Sequence, residues 1–246
     1  MPRRSTGPAV TGPVEDYRVG VLSDVHGSLI PLEHGYAYLQ RAGVDHILCA
    51  GDVASFGPDP NACVAFLRDN GVATVAGNQD VAMLAPIPVP DDVPERQRQI
   101  LTINRWSQEQ LTPANRAWLA TLPGELWLDG GFLCVHAAPG DDRQVVSADD
   151  PKPFPEGARI VCAGHLHEPF VSVVGGRLWV NVGSIARPTD GDSRGALGIA
   201  SLRAGLWHAE IVRIELPLDP ICDRILTSGI PYAERICELQ RSSRWW

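Results

Sequence analysis

The chain has 246 residues, of which 44% are hydrophobic and 20% are charged, and its formal net charge is −8. This length fits one large domain or two small ones, and the apolar content excludes a chain that is disordered throughout. The acidic balance argues against an extensive nucleic-acid-binding surface, and no stretch approaches the roughly 20 apolar residues of a membrane span.

The N-terminal segment, residues 1–16, contains three prolines and two glycines and has little hydrophobicity. This composition predicts a flexible lead-in, followed by one folded domain over residues 17–246. The segment also lacks the continuous apolar stretch of a secretory signal, and none of the six cysteines has C-x-x-C spacing. We therefore expect buried, reduced cysteines and a cytoplasmic location.

Five short apolar runs along the chain each lead into a polar block. The runs are 17–23, 46–50, 72–76, 132–135 and 159–163, and the blocks are S-D-V-H at 23–26, G-D at 51–52, G-N-Q-D at 77–80, V-H at 135–136 and G-H-L-H at 164–167. Such runs are typical of strands buried on both faces, and functional groups gather at the carboxyl ends of strands in open α/β sheets. We therefore expect the five blocks to meet in one crevice.

Helices are predicted between the first runs, over residues 29–42 and 61–70. Asp59 is the expected N-cap of the second helix, and Pro60 is expected at its first position. Together these elements give a β-α-β-α-β beginning. Residues 91–122 are expected to form two or three further helices beside the crevice.

The pattern changes after residue 167 to apolar segments joined by turns. Gly175-Gly176 and Ala204-Gly205 each separate two such segments, which predicts two antiparallel hairpins. Helices follow within residues 218–241, over 220–227 and 232–241. The predicted class is α/β, with a second sheet packed on the first and helices outside.

The polar blocks contain seven side chains with oxygen or imidazole donors. They are Asp24, His26, Asp52, Asn78, His136, His165 and His167. A donor set without thiolates suits divalent cations that act as Lewis acids, such as manganese, iron, nickel, zinc or magnesium, rather than a structural zinc. The blocks together therefore predict a two-metal site and a hydrolytic reaction.

Taken singly, several of these residues have structural explanations. Asp24 is ordinary for a turn after a strand, Asn78 suits a left-handed turn position, and His136 fits a hydrogen-bonded core histidine. Residues two apart in a strand point to the same side, so Asp24 and His26 are expected to reach one ion from strand positions. Two imidazoles two residues apart, His165 and His167, rarely have a packing reason to coexist.

The order and spacing of the blocks resemble the calcineurin-like metallophosphoesterases, whose pattern is D-x-H, G-D, G-N-H-D or G-N-H-E, H, and G-H-x-H. The resemblance extends from about residue 17 to 214. Segments 51–61 and 181–196 are similar to the small bacterial and archaeal branch, which implies a four-layer α/β-β/α sandwich of two mixed sheets flanked by helices.

The resemblance implies two divalent cations, with manganese as the first expectation. Carried over position by position, one cation is held by Asp24, His26 and His167, the other is held by Asn78, His136 and His165, and Asp52 bridges both. The acidic overall charge favours a small or exposed substrate, so with this resemblance a small phosphoester substrate is expected.

Gln79 stands where the best-known members of the family have a histidine that contacts the phosphate and helps the leaving group depart. Glutamine donates hydrogen bonds but transfers no proton near neutral pH. With Asn78 intact and Gln79 altered, we expect phosphodiester hydrolysis by a hydroxide that bridges the metals. Asp80 is expected either to position Gln79 or to cap the next helix.

Arg187 and Arg194 are candidates for phosphate contacts because a guanidinium binds two phosphoryl oxygens at once. Ordinary surface arginines explain them equally well. The alternative reactions are phosphomonoester hydrolysis, as in protein serine/threonine or nucleotide phosphatases, and DNA-repair nuclease activity. A scaffold without catalysis, like the retromer subunit that has this fold, is a further alternative, and the oligomeric state is left open.

Overall fold

Two five-stranded mixed sheets form the centre of the protein, whose computed structural model describes residues 15–244. The strands in chain order are β1 Tyr17–Leu22, β2 His46–Cys49, β3 Ala73–Thr74, β4 Glu125–Leu128, β5 Phe132–Val135, β6 Ile160–Ala163, β7 Phe170–Val174, β8 Arg177–Asn181, β9 Gly195–Arg203 and β10 Leu206–Ile214. The predicted α/β class with two mixed sheets is confirmed. The prediction of a flexible lead-in falls almost wholly on residues 1–14, which lie outside the described residues.

Seven α-helices accompany the sheets within residues 15–244. They are α1 Leu29–Arg41, α2 Pro60–Asp69, α3 Asn78–Ala82, α4 Glu95–Gln110, α5 Pro113–Leu119, α6 Leu218–Thr227 and α7 Ala233–Ser242. The six helices other than α3 match the predicted segments. None of the helices in this part of the chain is both long enough and apolar enough to cross a bilayer.

The first sheet has the strand order β10-β9-β1-β2-β3. Strands β1, β2 and β3 are parallel, β9 is antiparallel to β1, and β10 is antiparallel to β9. The second has the order β4-β5-β6-β8-β7, with β5, β6 and β8 parallel. Both predicted hairpins are present, but they join different sheets: β9-β10 extends the first, and β7-β8 extends the second. The carboxyl ends of β1, β2, β5 and β6 therefore lie toward one crevice, where the polar blocks follow.

Side chains alternate along β1, so one face of the first sheet packs on the second sheet and the other face packs on helices. Val19 and Val21 face the second sheet and pack in a fully buried cluster with Phe132 and Ile160, whereas Leu22 packs on the opposite face among residues of the helices. Gly20 also faces the helices, and a Cβ there would lie 2.5 Å from the Leu39 side chain. The glycine therefore lets α1 pack closely against the sheet.

The outer face of the second sheet is covered differently from that of the first. Trp179 and Val161 pack there against Val146, Ala158 and Phe154, which belong to the irregular segment between β5 and β6. The core residues of α6 and α7 pack with those of α1 and α2. The layer outside the second sheet is thus irregular chain where it covers Trp179.

Two local predictions are corrected, and two elements were missed. The predicted strand over residues 72–76 pairs only through Ala73–Thr74. Strand β4 and helix α3 were not predicted. Pro60 does begin α2 after Asp59, but the Asp59 side chain makes no capping hydrogen bond because its Oδ1 accepts one from Arg224 Nε at 2.8 Å.

Candidate metal centre

The seven predicted donor side chains lie together at the carboxyl ends of the strands. Asp24 and His26 follow β1, Asp52 follows β2, and Asn78 begins α3 just after β3. From the second sheet, His136 follows β5, and His165 and His167 follow β6. All are buried except His165, which is half-buried. The crevice thus receives side chains from both sheets.

One group within this cluster consists of Asp24, His26 and His167. Asp24 Oδ1 lies 3.2 Å from His167 Nε2 and 3.8 Å from His26 Nε2. The two Nε2 atoms are 3.0 Å apart. The three donor atoms therefore surround one small volume, as expected for side chains that share a cation.

The second group consists of Asn78, His136 and His165. Asn78 Oδ1 lies 3.0 Å from His136 Nε2 and 3.1 Å from His165 Nδ1. Asp52 lies between the two groups: its Oδ2 is 3.9 Å from His26 Nε2, and its Oδ1 is 3.5 Å from His136 Nε2. The carboxylate of Asp52 thus faces one group with each oxygen.

Hydrogen bonds to the outer ring nitrogens determine which atoms face the interior. His136 Nδ1 lies 2.8 Å from the Ala50 carbonyl oxygen, and His167 Nδ1 lies 2.7 Å from the Arg187 carbonyl oxygen. Because a carbonyl only accepts, both Nδ1 atoms carry the hydrogen, and in the neutral imidazoles both Nε2 atoms are unprotonated. His26 Nδ1 lies 2.8 Å from Ser55 Oγ, a hydroxyl that both donates and accepts.

Ligand atoms therefore lie close to one another inside the cluster. The Nε2 atoms of His26 and His167 face each other, and His136 Nε2 faces the amide oxygen of Asn78. Asp24 Oδ1 is fully buried and accepts no hydrogen bond. Electron-pair donors packed this closely repel one another unless a cation or a proton lies between them, so the donor set fits divalent cations.

The backbone at five of these residues is left-handed. The φ angles are 53° at Asp24, 45° at His26, 53° at Asp52, 67° at His165 and 62° at His167. The expectation that Asp24 and His26 occupy strand positions is therefore wrong. Strand β1 ends at Leu22, and the chain curls after it. Asn78 is not a left-handed turn residue either, since it begins α3. Positive φ in residues other than glycine is uncommon and clusters at functional sites.

Backbone hydrogen bonds hold these loops in place. The amides of Asp24, His26 and Gly27 donate to the carbonyls of residues 51, 52 and 53, at 3.0, 2.9 and 2.7 Å. The second sheet is joined to this loop because His165 N donates to Asp24 Oδ2 at 2.9 Å. The strained loops are thus fixed to one another.

The glycines of two blocks permit close approach. A Cβ at Gly164 would overlap Ser23 and Asp24, and a Cβ at Gly77 would overlap Asp52. Glycine at these positions lets the loop after β6 and the loop after β3 pack directly against the donor residues.

Asp80 joins the loops after β2 and β3. Its Oδ2 accepts from Gly77 N at 3.0 Å, and its Oδ1 accepts from Val53 N at 2.8 Å and Ala54 N at 3.3 Å. Of the two expected roles, the Gly77 bond corresponds to the helix cap. The bonds to Val53 and Ala54 were not foreseen, and they fix the loop that carries Asp52.

Gln79 is held at both its backbone and its side chain. Its backbone N–H donates to Asp52 Oδ1 at 2.8 Å, and its Oε1 accepts from Asn104 Nδ2 at 3.0 Å. Asn104 lies on α4, so this helix, from the section over residues 91–122, contacts Gln79. No motif marks Asn104 or Ser55 in the sequence, so both contacts were missed.

The two candidate arginines are placed differently. The Arg187 guanidinium lies 4.8 Å from the ring centroid of Phe56, which itself packs edge-on against His26. The Arg194 guanidinium instead binds Asp192 through Nε and Nη2, at 3.0 and 2.7 Å, and its side chain is 45% exposed. Arg187 is therefore beside the cluster, whereas Arg194 is engaged at the surface.

Burial dominates the electrostatics of the cluster. It raises the pKa of Asp52 to about 8, and the carboxylates of Asp24 and Asp80 act in the same direction. Burial also lowers the pKa of His26 well below its ordinary value, which keeps this imidazole neutral and available as a ligand. In Asp24, burial acts to raise the pKa, but the neighbouring His167 and other histidines outweigh it and the pKa is lowered.

Arg187 carries an uncompensated charge. Burial lowers the pKa of its guanidinium to about 10, so it remains charged at neutral pH. It forms no ion pair with a carboxylate anywhere in residues 15–244. A partly buried cation without a carboxylate partner favours an anion bound beside it.

Comparison with known proteins agrees with this geometry. The family model described as "Calcineurin-like phosphoesterase superfamily domain" matches residues 17–204. An uncharacterized protein of Methanocaldococcus jannaschii is 24% identical over 242 residues, which cover 87% of this chain and 93% of that protein.

Solved structures show the same fold. The crystal structure of a metallophosphoesterase from Sphaerobacter thermophilus superposes with a TM-score of 0.73 at 24% identity, covering 92% of this chain and 99% of that one. A hypothetical protein from Pyrococcus horikoshii has a TM-score of 0.74 at 15% identity, with coverage of 92% and 98%.

The two sheets and the cluster at their carboxyl ends define a metal-dependent phosphoester hydrolase, which confirms the class of enzyme expected from the sequence. The chain belongs to the calcineurin-like phosphoesterase superfamily.

The hydrogen bonds of Asp80 lead to a prediction about stability. Replacing Asp80 with alanine leaves three buried backbone N–H groups without an acceptor, so we expect the free energy of unfolding to fall by about 2–4 kcal/mol. Urea denaturation of the metal-free protein measures this. Asp69→Ala is the matched control, because Asp69 is 63% exposed and pairs only with Arg68, and its loss is expected to cost about 0.5 kcal/mol or less. Equal effects of the two substitutions would show that Asp80 does not fix the loops.

Proposed function

We propose that the protein is a phosphodiesterase that uses two divalent cations, with manganese as the resident metal, and that it acts on a small phosphoester in the cytoplasm. The observation that carries the proposal is the convergence of carboxylate, amide and imidazole ligand atoms in two groups with the Asp52 carboxylate between them. Carboxylate, amide and imidazole donors without thiolates are a set that manganese accepts.

The proposed ligand assignment follows the two groups. Asp24, His26 and His167 would hold one cation, Asn78, His136 and His165 would hold the other, and Asp52 would contribute one oxygen to each. When bound, the two cations would supply Lewis acidity to activate water and to neutralise charge on the phosphoryl oxygens. The outer hydrogen bonds from Nδ1 to the carbonyls of Ala50 and Arg187 keep the imidazoles oriented for this role.

Residues beside the cluster would bind the phosphoryl group. Arg187 offers a charged guanidinium without a carboxylate partner, and Gln79 offers an amide held through its backbone to Asp52. Neither side chain transfers a proton near neutral pH. The leaving group therefore departs without a proton from residue 79, which favours esters whose leaving group is already a weak base.

The same two residues favour a diester over a monoester. A phosphodiester carries one negative charge on its non-bridging oxygens, whereas a phosphomonoester carries nearly two at neutral pH. One guanidinium and one neutral amide match the smaller charge. Phosphomonoester hydrolysis remains the alternative. The comparison of an aryl diester with an aryl monoester distinguishes the two reactions.

The decisive assay compares two aryl esters with the same leaving group. Protein loaded with manganese is expected to hydrolyse bis-para-nitrophenyl phosphate with a kcat/KM at least about tenfold higher than for para-nitrophenyl phosphate. Asp52→Asn, which removes the shared carboxylate, is expected to abolish both activities. A clear preference for the monoester would overturn the assignment as a phosphodiesterase.

The two arginines make a matched pair for testing the phosphate contact. Arg187→Ala is expected to lower kcat/KM on the diester by about 10²- to 10³-fold, because it removes the charged donor beside the cluster. Arg194→Ala is expected to stay within about twofold of the wild type, because an exposed ion pair contributes little. Metal content measured on both variants checks that the cluster is intact. Equal losses, or a larger loss for Arg194→Ala, would contradict the placement of the substrate.

A further inference from the structure

Helix α4 places one buried polar side chain directly against Gln79. Asn104 is 5% exposed, and its Nδ2 donates to Gln79 Oε1 at 3.0 Å. The backbone N–H of Gln79 is bound to Asp52 Oδ1 at 2.8 Å. Gln79 is thus fixed at its backbone by the carboxylate between the two donor groups and at its side chain by α4.

This contact determines which half of the Gln79 amide is free. The oxygen of the amide is occupied by Asn104, so the Nε2 hydrogens are what Gln79 offers to any other partner. Reversing the Gln79 amide alone would place its NH2 against the NH2 of Asn104, donor against donor, and reversing both amides would leave the Asn104 NH2, in place of its oxygen, buried without a partner. A group that presents only donors suits a phosphoryl oxygen, which only accepts.

The position of α4 relative to α3 is itself fixed. Gln108 Nε2 donates to the carbonyl of Met83 at 3.0 Å and to that of Ala85 at 2.5 Å, and Arg105 Nε donates to the carbonyl of Ile87 at 2.9 Å. These bonds hold the segment that follows α3 against α4. The distance between Asn104 and Gln79 therefore does not depend on their own hydrogen bond alone.

Packing alone does not explain an asparagine at this position. The Asn104 Oδ1 atom is buried and has no hydrogen-bond partner. An unpaired buried carbonyl oxygen destabilises the folded state, so an apolar side chain of the same size suits the surroundings better. The hydrogen bond to Gln79 is the contact that requires an amide.

We propose that Asn104 is a positioning residue that sets the orientation of the Gln79 amide, so that Nε2 donates to a phosphoryl oxygen of the substrate. This inference rests on the proposed function, because it assigns Gln79 to the phosphoryl group of a bound phosphoester. It adds α4 to the parts of the chain that determine the rate.

The first test replaces Asn104 with leucine, which has nearly the same size and no hydrogen bond. In the manganese-loaded protein, kcat/KM on the aryl diester is expected to fall about tenfold, while the metal content and the thermal unfolding midpoint stay equal to those of the wild type or the midpoint rises. If Asn104→Leu does not fold, Asn104→Ala gives the same comparison. Wild-type activity in a folded variant would overturn the proposal.

Ser107→Ala is the matched control on the same helix. Ser107 is fully buried, and its Oγ also lacks a hydrogen-bond partner, so it makes no hydrogen bond to Gln79. Its replacement is expected to leave kcat/KM unchanged. An equal loss in both variants would show that the effect comes from the packing of α4 and would contradict a specific role for Asn104.

A double-mutant cycle tests whether Asn104 acts through Gln79. Gln79→Ala alone is expected to lower kcat/KM about 10²-fold, and adding Asn104→Leu to it is expected to cause no further loss. Additive losses would show that Asn104 acts independently of Gln79 and would overturn the proposal.

A readout that does not depend on turnover comes from the side-chain amide resonance of Gln79, identified by its disappearance in Gln79→Ala. In zinc-loaded protein, inorganic phosphate is expected to shift this resonance in the wild type but not in Asn104→Leu. The same shift in both would overturn the proposal.

The proposed function and this inference fail in distinguishable ways. A wild type that binds metal but hydrolyses no phosphoester overturns both. An active wild type with an equally active Asn104→Leu overturns this inference alone.

Discussion

Backbone hydrogen bonds between the loop after β1 and the loop after β2 are the constraint on which the site depends. They run from Asp24, His26 and Gly27 to residues 51–53, and they hold three donor residues in left-handed conformations. Each such conformation costs about 1 kcal/mol or more in a residue other than glycine. Asp80 adds a second connection by binding Val53, Ala54 and Gly77. The stability of the two packed sheets therefore offsets the strain that aims the ligands inward.

The cluster built on this frame brings ligand atoms close together. The Nε2 atoms of His26 and His167 are 3.0 Å apart, and His136 Nε2 lies at the same distance from the oxygen of Asn78. This arrangement suits cations, because these atoms become ligands when a cation lies between them. The charged Arg187 guanidinium lies beside the cluster, next to Phe56, where its positive charge favours a bound anion. Ligand atoms for cations with a guanidinium beside them agree with a phosphoester site.

The sequence was sufficient for nine of the ten strands and six of the seven helices in residues 15–244 and for the convergence of the donor residues, because apolar runs end where polar blocks begin. It was insufficient wherever long-range contacts decide the local conformation. The left-handed φ of Asp24 and His26 follows from bonds to a loop some 25 residues away. The short β3 pairs through only two residues, and the contact of Asn104 with Gln79 depends on how α4 docks. Neither is encoded in a local pattern, and Asn104 carries no motif.

The number of metal ions per chain tests the central claim most directly. Elemental analysis of protein purified without chelator, and of the same protein reconstituted with manganese and freed of excess metal, is expected to give about two ions per chain for the wild type. Asp52→Asn, which removes the carboxylate that faces both groups, is expected to bind fewer than two ions. A wild-type protein that binds no divalent metal after reconstitution would contradict the interpretation of the cluster as a metal centre.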